Sequence, residues 1–146
     1  MQDTRYNPVT PEIVAALEAI CGHDGVVFGD AKRLDKFARD AVAEKKYARR
    51  PDVVVMPATT EAVAAVMRLA NEARVPVTPR AAGSGLSGGA VAACGGIVLS
   101  VERLNRILEI DTRNLMAVVE PGVITNHLDA ALKPHGILNP GKILPP

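Results

Sequence analysis

Between Pro51 and Arg80 the hydrophobic pattern changes period twice, and this restricts the fold more than any other feature of the chain. "PDVVVMP" is a β-branched run closed by proline at both ends, the pattern of a short buried strand. "TTEAVAAVMRLANEAR" follows at helical spacing. Val63, Val66, Met67 and Ala70 fall on one face, and Thr59 or Thr60 is placed to cap the start. "VPVTPR" then returns to strand. Strand, helix and strand in so short a span make a βαβ unit, with parallel strands and a right-handed crossover. The class this predicts is α+β: a small mixed sheet with a βαβ unit, flanked by helices.

The rest of the chain extends that frame. "TPEIVAALEAICG" predicts a helix capped by Thr10, with Pro11 in its first turn, Gly22 at its stop and Ile13, Leu17 and Ile20 on its buried face. Asp24 and Gly25 predict a turn, and "KRLDKFARDA" reads as a short helix or an irregular lead-in. "GGIVLSVE" predicts a third strand. "RILEID" and "LMAVVEPG" predict two strands paired around "TRN". "ITNHLDAALKPHG" predicts a last helix closed by Pro134 and Gly136, and "ILNPGKILPP" is too rich in Pro and Gly for regular structure. The 146 residues fit one domain, and with aromatics at 3% and no Trp its core must be built from small aliphatic side chains.

Charge removes some classes of function. A formal net charge of +1 gives no basic field for nucleic acid. The one basic cluster, Lys45, Lys46, Arg49 and Arg50, reads as a solvated helix end and loop. Cys21 and Cys94 form no metal or redox motif and read as reduced, mostly buried thiols. "MQDTRYNPVT" lacks the apolar run of a signal peptide, and no segment is apolar for long enough to span a bilayer. The expected compartment is the cytoplasm.

Chemistry concentrates in "PRAAGSGLSGGA", where Gly83, Gly85 and Gly88 spell G-x-G-x-x-G. A nicotinamide site of that signature needs a helix opening at the loop and an acid after the next strand. Here "GAVAACGG" breaks any helix before it forms, and Glu102, though at a suitable distance, follows no crossover helix. No Gly-Lys-Ser/Thr follows either, which excludes a Walker loop. The remaining possibility is a glycine-rich turn whose successive N–H groups converge on a phosphate. Ser84 and Ser87 add hydroxyl donors. Arg80 adds charge or lies on the surface. The competing reading is a plain connector.

The stretch from Arg50 to Ala90, continued by "GGIVLSVERLNRILEIDTRNLMAVVEPGV", resembles the opening of the FAD-binding domain of FAD-linked oxidases. These are the vanillyl-alcohol-oxidase-like flavoproteins, with a type-4 (PCMH-like) domain whose first subdomain this would be. The nearest branch looks like the glycolate oxidase flavoprotein subunit and D-lactate dehydrogenase. The resemblance implies that Pro79, Arg80, Ala81, Ala82, Gly83, Ser84, Gly85, Leu86 and Ser87 wrap the FAD pyrophosphate, and that Gly88 and Gly122 of the "VEPGV" motif also bind the cofactor. Some relatives attach flavin through a His in this loop. Ser84 stands there, so the implied attachment is non-covalent.

The tail resembles a different part of the family. "LDAALKPHGILNPGKIL" looks like its extreme C-terminus, so residues 1–124 read as a truncated FAD-binding domain and 125–146 as a C-terminal helix and tail, joined within 124–132. The relatives' substrate-binding cap lies between those parts. His23, His127 and His135 are not spaced as metal ligands, and no catalytic or metal residue is predicted. Arg39–Asp40 resembles a family pair, read here as structural. Two outcomes follow: FAD held weakly or not at all by a catalytically incomplete oxidoreductase domain, or a non-enzymatic module that self-associates through exposed apolar faces.

Overall fold

The computed structural model describes residues 6–42 and 48–136, and the chain divides into two units, residues 1–103 and 104–146. The first unit opens with helix α1, Pro11–Cys21. The Thr10 hydroxyl accepts from the Ile13 N–H at 3.5 Å. Gly22 stops the helix at φ +77°, and its N–H donates to the Glu18 carbonyl at 2.8 Å. A 3-10 turn at His23–Gly25 leads to strand β1, Val26–Val27, which the sequence reading did not separate from its turn. Helix α2, Ala31–Asp35, is one short piece of the "KRLDKFARDA" stretch, capped by the Asp30 carboxylate on the N–H groups of Lys32 and Arg33. Strand β2 is Val53–Val55, helix α3 is Thr60–Ala73, strand β3 is Val77–Arg80 and strand β4 is Ile97–Ser100. Thr59, not Thr60, caps α3, and Met67 on that helix is 47% exposed rather than part of its buried face.

The four strands form one mixed sheet in the order β1-β2-β4-β3. Strands β2 and β3 are both parallel to β4, which lies between them, and β1 is antiparallel to β2. The chain's own strands explain this order. Every residue of β4 is buried, so it takes the centre. Pro79 of β3 has no N–H to give a second neighbour and suits an edge. Side chains alternate between two covered faces. Val53, Val55, Ile97 and Leu99 pack with Val14 and Leu17 of α1 and with Val66 and Ala70 of α3. Val54 and Val98 point the other way, into a smaller cluster with Val27, Leu34 and Ala92. Burial on both faces is why β2 reads as an unbroken apolar run.

The second unit contains strands β5, Ile107–Asp111, and β6, Met116–Val119, paired antiparallel, then helix α4, Thr125–Leu132, and a 3-10 turn at Lys133–His135. Asp111 builds the hairpin turn. One carboxylate oxygen accepts from the N–H groups of Arg113 and Asn114, and the other accepts from the Asn114 side chain at 2.6 Å. Gly136 ends the last turn at φ +64°. The tail "ILNPGKILPP", and Lys45 and Lys46 of the basic cluster, lie outside the described residues. Of that cluster, Arg50 pairs with Asp35 at 2.7 Å and the Arg49 N–H donates to the Ala38 carbonyl.

Candidate functional site

Residues 81–96 carry the chain from the end of β3 to the start of β4 as bends and turns, without a helix. The context argument against a nicotinamide site therefore holds, because no helix opens between the glycines and β4. Gly83 and Gly88 take φ +67° and +77°, which a side chain would strain. The descending limb is anchored, with Val91 and Ala92 both buried and Ala92 part of the smaller core cluster.

The segment Arg39–Ala41 braces the loop from below. The Ala41 N–H donates to the Gly85 carbonyl at 3.1 Å. The Asp40 carboxylate accepts from the Gly88 N–H at 2.8 Å through one oxygen and from the Val42 N–H at 3.0 Å through the other. The Arg39 carbonyl accepts from the Arg80 guanidinium at 2.9 Å, and Ala90 offers its carbonyl to the same nitrogen at 3.3 Å. Asp40 therefore partners the loop and not Arg39.

Arg80 is only 9% exposed, which corrects the option of a surface residue. Its guanidinium lies under Gly83, where a side chain would collide with it, and sits 5.6 Å from the centre of the Phe37 ring. Burial pulls its pKa below the usual arginine value, while the charges of Asp40 and Glu102 act in the opposite direction. With its donors turned to backbone carbonyls, Arg80 serves as a brace inside the loop.

Pro79 and Arg80 end β3; Ala81, Ala82, Ser84, Gly85, Leu86 and Ser87 are exposed; Gly83 and Gly88 are half-buried. Among the described residues, the N–H groups of residues 82–87 donate to no protein acceptor. Their backbone is thus pinned at both ends while these N–H groups have no partner among the described residues. A groove of about 340 Å³ runs beside them, lined by Val42, Leu86, Ser87, Gly88, Val91 and Ala93. Gly122 belongs to the second unit, in the turn after β6, and its N–H donates to the Leu104 carbonyl at 2.7 Å.

In that second unit the "VEPGV" motif carries a carboxylate that the sequence reading did not single out. Glu120 is 9% exposed and takes the Arg106 side chain on one oxygen, at 2.7 and 3.1 Å. Its other oxygen accepts from the Arg106 N–H at 2.7 Å. These bonds hold the Glu120 carboxyl below the usual glutamate pKa, the side-chain bond most of all. A lowered folded-state value gives stability that is present above the ordinary glutamate pKa and lost as pH falls through the lowered one. The urea midpoint of the wild type is expected to drop between about pH 6 and about pH 3. Glu120→Gln should begin lower at the higher pH and change less between the two. Equal pH dependence in both proteins would remove Glu120 from this role.

His23 is exposed and meets Glu18 at 2.9 Å, while His127 and His135 are exposed in the second unit. No group able to hold a metal ion occurs among the described residues. Cys21 is half-buried, and burial pushes its thiol pKa up. Cys94 is exposed, contrary to expectation, because it sits in a turn of the descending limb. Among the described residues no helix is long and apolar enough to cross a membrane.

The family and the fold have known relatives. The FAD binding domain family matches residues 51–143, a span that continues past residue 124 through α4 into the tail. The chain is 39% identical over 140 residues to the D-lactate dehydrogenase of Anaerostipes hadrus, covering 96% of this chain and 29% of that protein. It is 35% identical over 132 residues to the glycolate oxidase subunit of Bacillus subtilis strain 168, covering 90% and 27%. Among solved structures, 4-ethylphenol oxidase from Gulosibacter chungangensis superposes with a TM-score of 0.70 at 28% identity, over 92% of this chain and 27% of that one. An alkyldihydroxyacetonephosphate synthase reaches 0.77 at 21% identity, over 90% and 26%, a likeness of fold. The chain spans less than a third of the length of these relatives. Its βαβ core, helix-free glycine loop and paired strands, with the family match across them, make this chain a member of the FAD-binding domain family of FAD-linked oxidoreductases.

Proposed function

We propose that this chain is the pyrophosphate-holding portion of a flavin-dependent oxidoreductase of 2-hydroxy acids, of the glycolate and D-lactate type, and that by itself it is catalytically incomplete. The observation that supports this most is the set of backbone N–H groups in residues 82–87, without an acceptor among the described residues, on a loop braced at both ends. A pyrophosphate spreads charge over several oxygens, and a run of N–H groups with the Ser84 and Ser87 hydroxyls suits it without a metal. In this reading Pro79, Arg80 and Gly88 shape the cradle, while Ala81, Ala82, Gly83, Ser84, Gly85, Leu86 and Ser87 line it. Gly122 supports the family's "VEPGV" turn. Ser84 carries no imidazole, so FAD is held without a covalent bond. When bound, FAD would supply the hydride-accepting ring. This chain's own share in this reading is to hold the phosphates. Residues 125–146 as the family's C-terminal end, joined within 124–132, belong to the same proposal.

A second reading, self-association, rests on the hairpin. Leu108, Met116 and Val118 on its strands are about half exposed, and Leu115 at its turn is 64% exposed. Among the described residues the ribbon has two strands, and neither edge is paired with a third. Sedimentation velocity followed at the flavin and protein absorbance bands tests both readings together. The expected result is FAD that co-sediments reversibly, with a dissociation constant of about 10 µM or weaker, on a species heavier than one chain. Tight stoichiometric flavin would overturn the incompleteness, absence of co-sedimenting flavin at saturating FAD would overturn the cradle, and a strict monomer would overturn self-association.

A further inference from the structure

We propose that Asp40, with Arg80, is a positioning residue of the anion cradle: its buried carboxylate fixes the backbone of residues 82–87 with donors outward, and it withholds the Gly88 N–H from the ligand. This deepens, and rests on, the reading of the loop as a pyrophosphate site.

A buried negative charge beside an anion site is at first sight unfavourable. Asp40 is 8% exposed, lies outside the loop by sequence, and spends both oxygens on N–H groups, those of Gly88 and Val42. Simple repulsion makes such a carboxylate a defect. The surrounding contacts give it a different part. Gly88 stands at φ +77°, at the point where the exposed arc turns back into the core through Val91 and Ala92. Holding the Gly88 N–H therefore fixes where that arc ends. Arg80 fixes where it begins, by tying the Arg39 and Ala90 carbonyls together beneath Gly83. The Ala41 N–H on the Gly85 carbonyl sets the middle. All three ties come from the Arg39–Ala41 segment or pass through it, and none uses an N–H of residues 82–87. The ordering of a glycine-rich arc, which otherwise opposes ligand binding, is thus completed during folding. The positive charge of Arg80 offsets that of Asp40 inside the loop, so the ligand meets the N–H dipoles more than the carboxylate.

Two effects of opposite sign make this testable with inorganic pyrophosphate as the probe. If Asp40 acted only through its charge, Asp40→Ala and Asp40→Asn would both bind pyrophosphate more tightly than wild type. If it positions the loop, the order reverses. Asp40→Ala should weaken binding about tenfold, and Asp40→Asn, which keeps one acceptor oxygen of the two, should fall between it and wild type. Amide spectra of 15N-labelled protein read the contact directly, with shifts expected at residues 82–87 and a Gly88 N–H that remains protected from exchange throughout. Tighter binding by both variants, or a Gly88 N–H that exchanges freely in the wild type, would overturn the proposal. Exchange without ligand separates it from the reading beneath it. Loss of Gly88 protection and disorder of residues 82–87 in Asp40→Ala support the positioning role even where wild type ignores pyrophosphate, and that last result overturns the anion site instead. Asp40→Asn guards against a misfolded Asp40→Ala, since it must then carry the intermediate affinity and exchange rate by itself.

Discussion

Gly96→Ala is expected to cost about 2–5 kcal/mol of folding stability, a large share of the roughly 5–15 kcal/mol that holds a domain together. Gly96 stands at φ +74° where the loop enters β4. An added Cβ would lie 2.6 Å from Pro76 Cγ and 2.9 Å from its Cδ, and nearer still to the Pro76 carbonyl oxygen. That carbonyl cannot move aside, because it accepts the Ile97 N–H at 2.9 Å. Gly96 is itself fixed from the other side. Its N–H donates to the Asp52 carboxylate at 2.7 Å, and its carbonyl accepts from the Asp52 N–H at 3.0 Å. Here the entries to β2, β3 and β4 meet with no room for a methyl group. Overpacking of this kind costs about 1–3 kcal/mol, and the left-handed backbone adds roughly 1–2 kcal/mol. Urea unfolding gives the number. Gly89→Ala is the control, since an added Cβ there meets nothing within 4 Å, and it should stay within about 0.5 kcal/mol of wild type. Equal midpoints for the two variants would refute the close approach at Pro76.

How far the sequence reveals the fold follows from the range of each interaction. Elements set by local chemistry are legible. Thr10 and Thr59 cap their helices, Gly22 stops one, and the apolar run of β2 announces a strand buried on both faces. Strand order is not local. The βαβ pattern predicts parallel strands, yet nothing in it tells that β4, which comes later, will lie between its two members. Only Pro79, which makes β3 an edge, hints at this. Met67 was misplaced for a related reason, since helical spacing marks a stripe but not the width that the sheet covers. The loop divides in the same way. Its glycines, serines and exclusion from the nicotinamide class are legible because they depend on neighbours in the chain. The braces are not, because Asp40 and Gly88 lie 48 residues apart and Arg39 and Arg80 lie 41 apart. A run of Arg-Asp-Ala before a strand carries a signal of importance without a partner's address.

Arg80→Ala is expected to cost about 2–4 kcal/mol and to loosen the glycine loop before the rest of the unit. Among the described residues Arg80 is the donor to the Arg39 and Ala90 carbonyls, and its truncation leaves each to find water in a part-buried position at roughly 1–3 kcal/mol. It also strips the Phe37 ring of the guanidinium 5.6 Å away and removes a positive charge that interacts with Asp40. Arg80→Lys is not a gentle change here. An ammonium can meet the two carbonyls that share one guanidinium nitrogen, but it lacks the planar group that lies beneath Gly83 and beside the Phe37 ring, so about half of the loss should remain. Urea unfolding measures the global cost, and limited proteolysis locates it. Cleavage should appear within residues 81–93 at urea concentrations too low to unfold the sheet, since loops held by few buried contacts open first. The opposite expectation belongs to a surface arginine, whose removal changes stability by no more than about 0.5 kcal/mol and leaves the proteolytic pattern as it was. Those two outcomes do not overlap, so a stable, uncleaved Arg80→Ala would return Arg80 to the surface role from which its burial removes it.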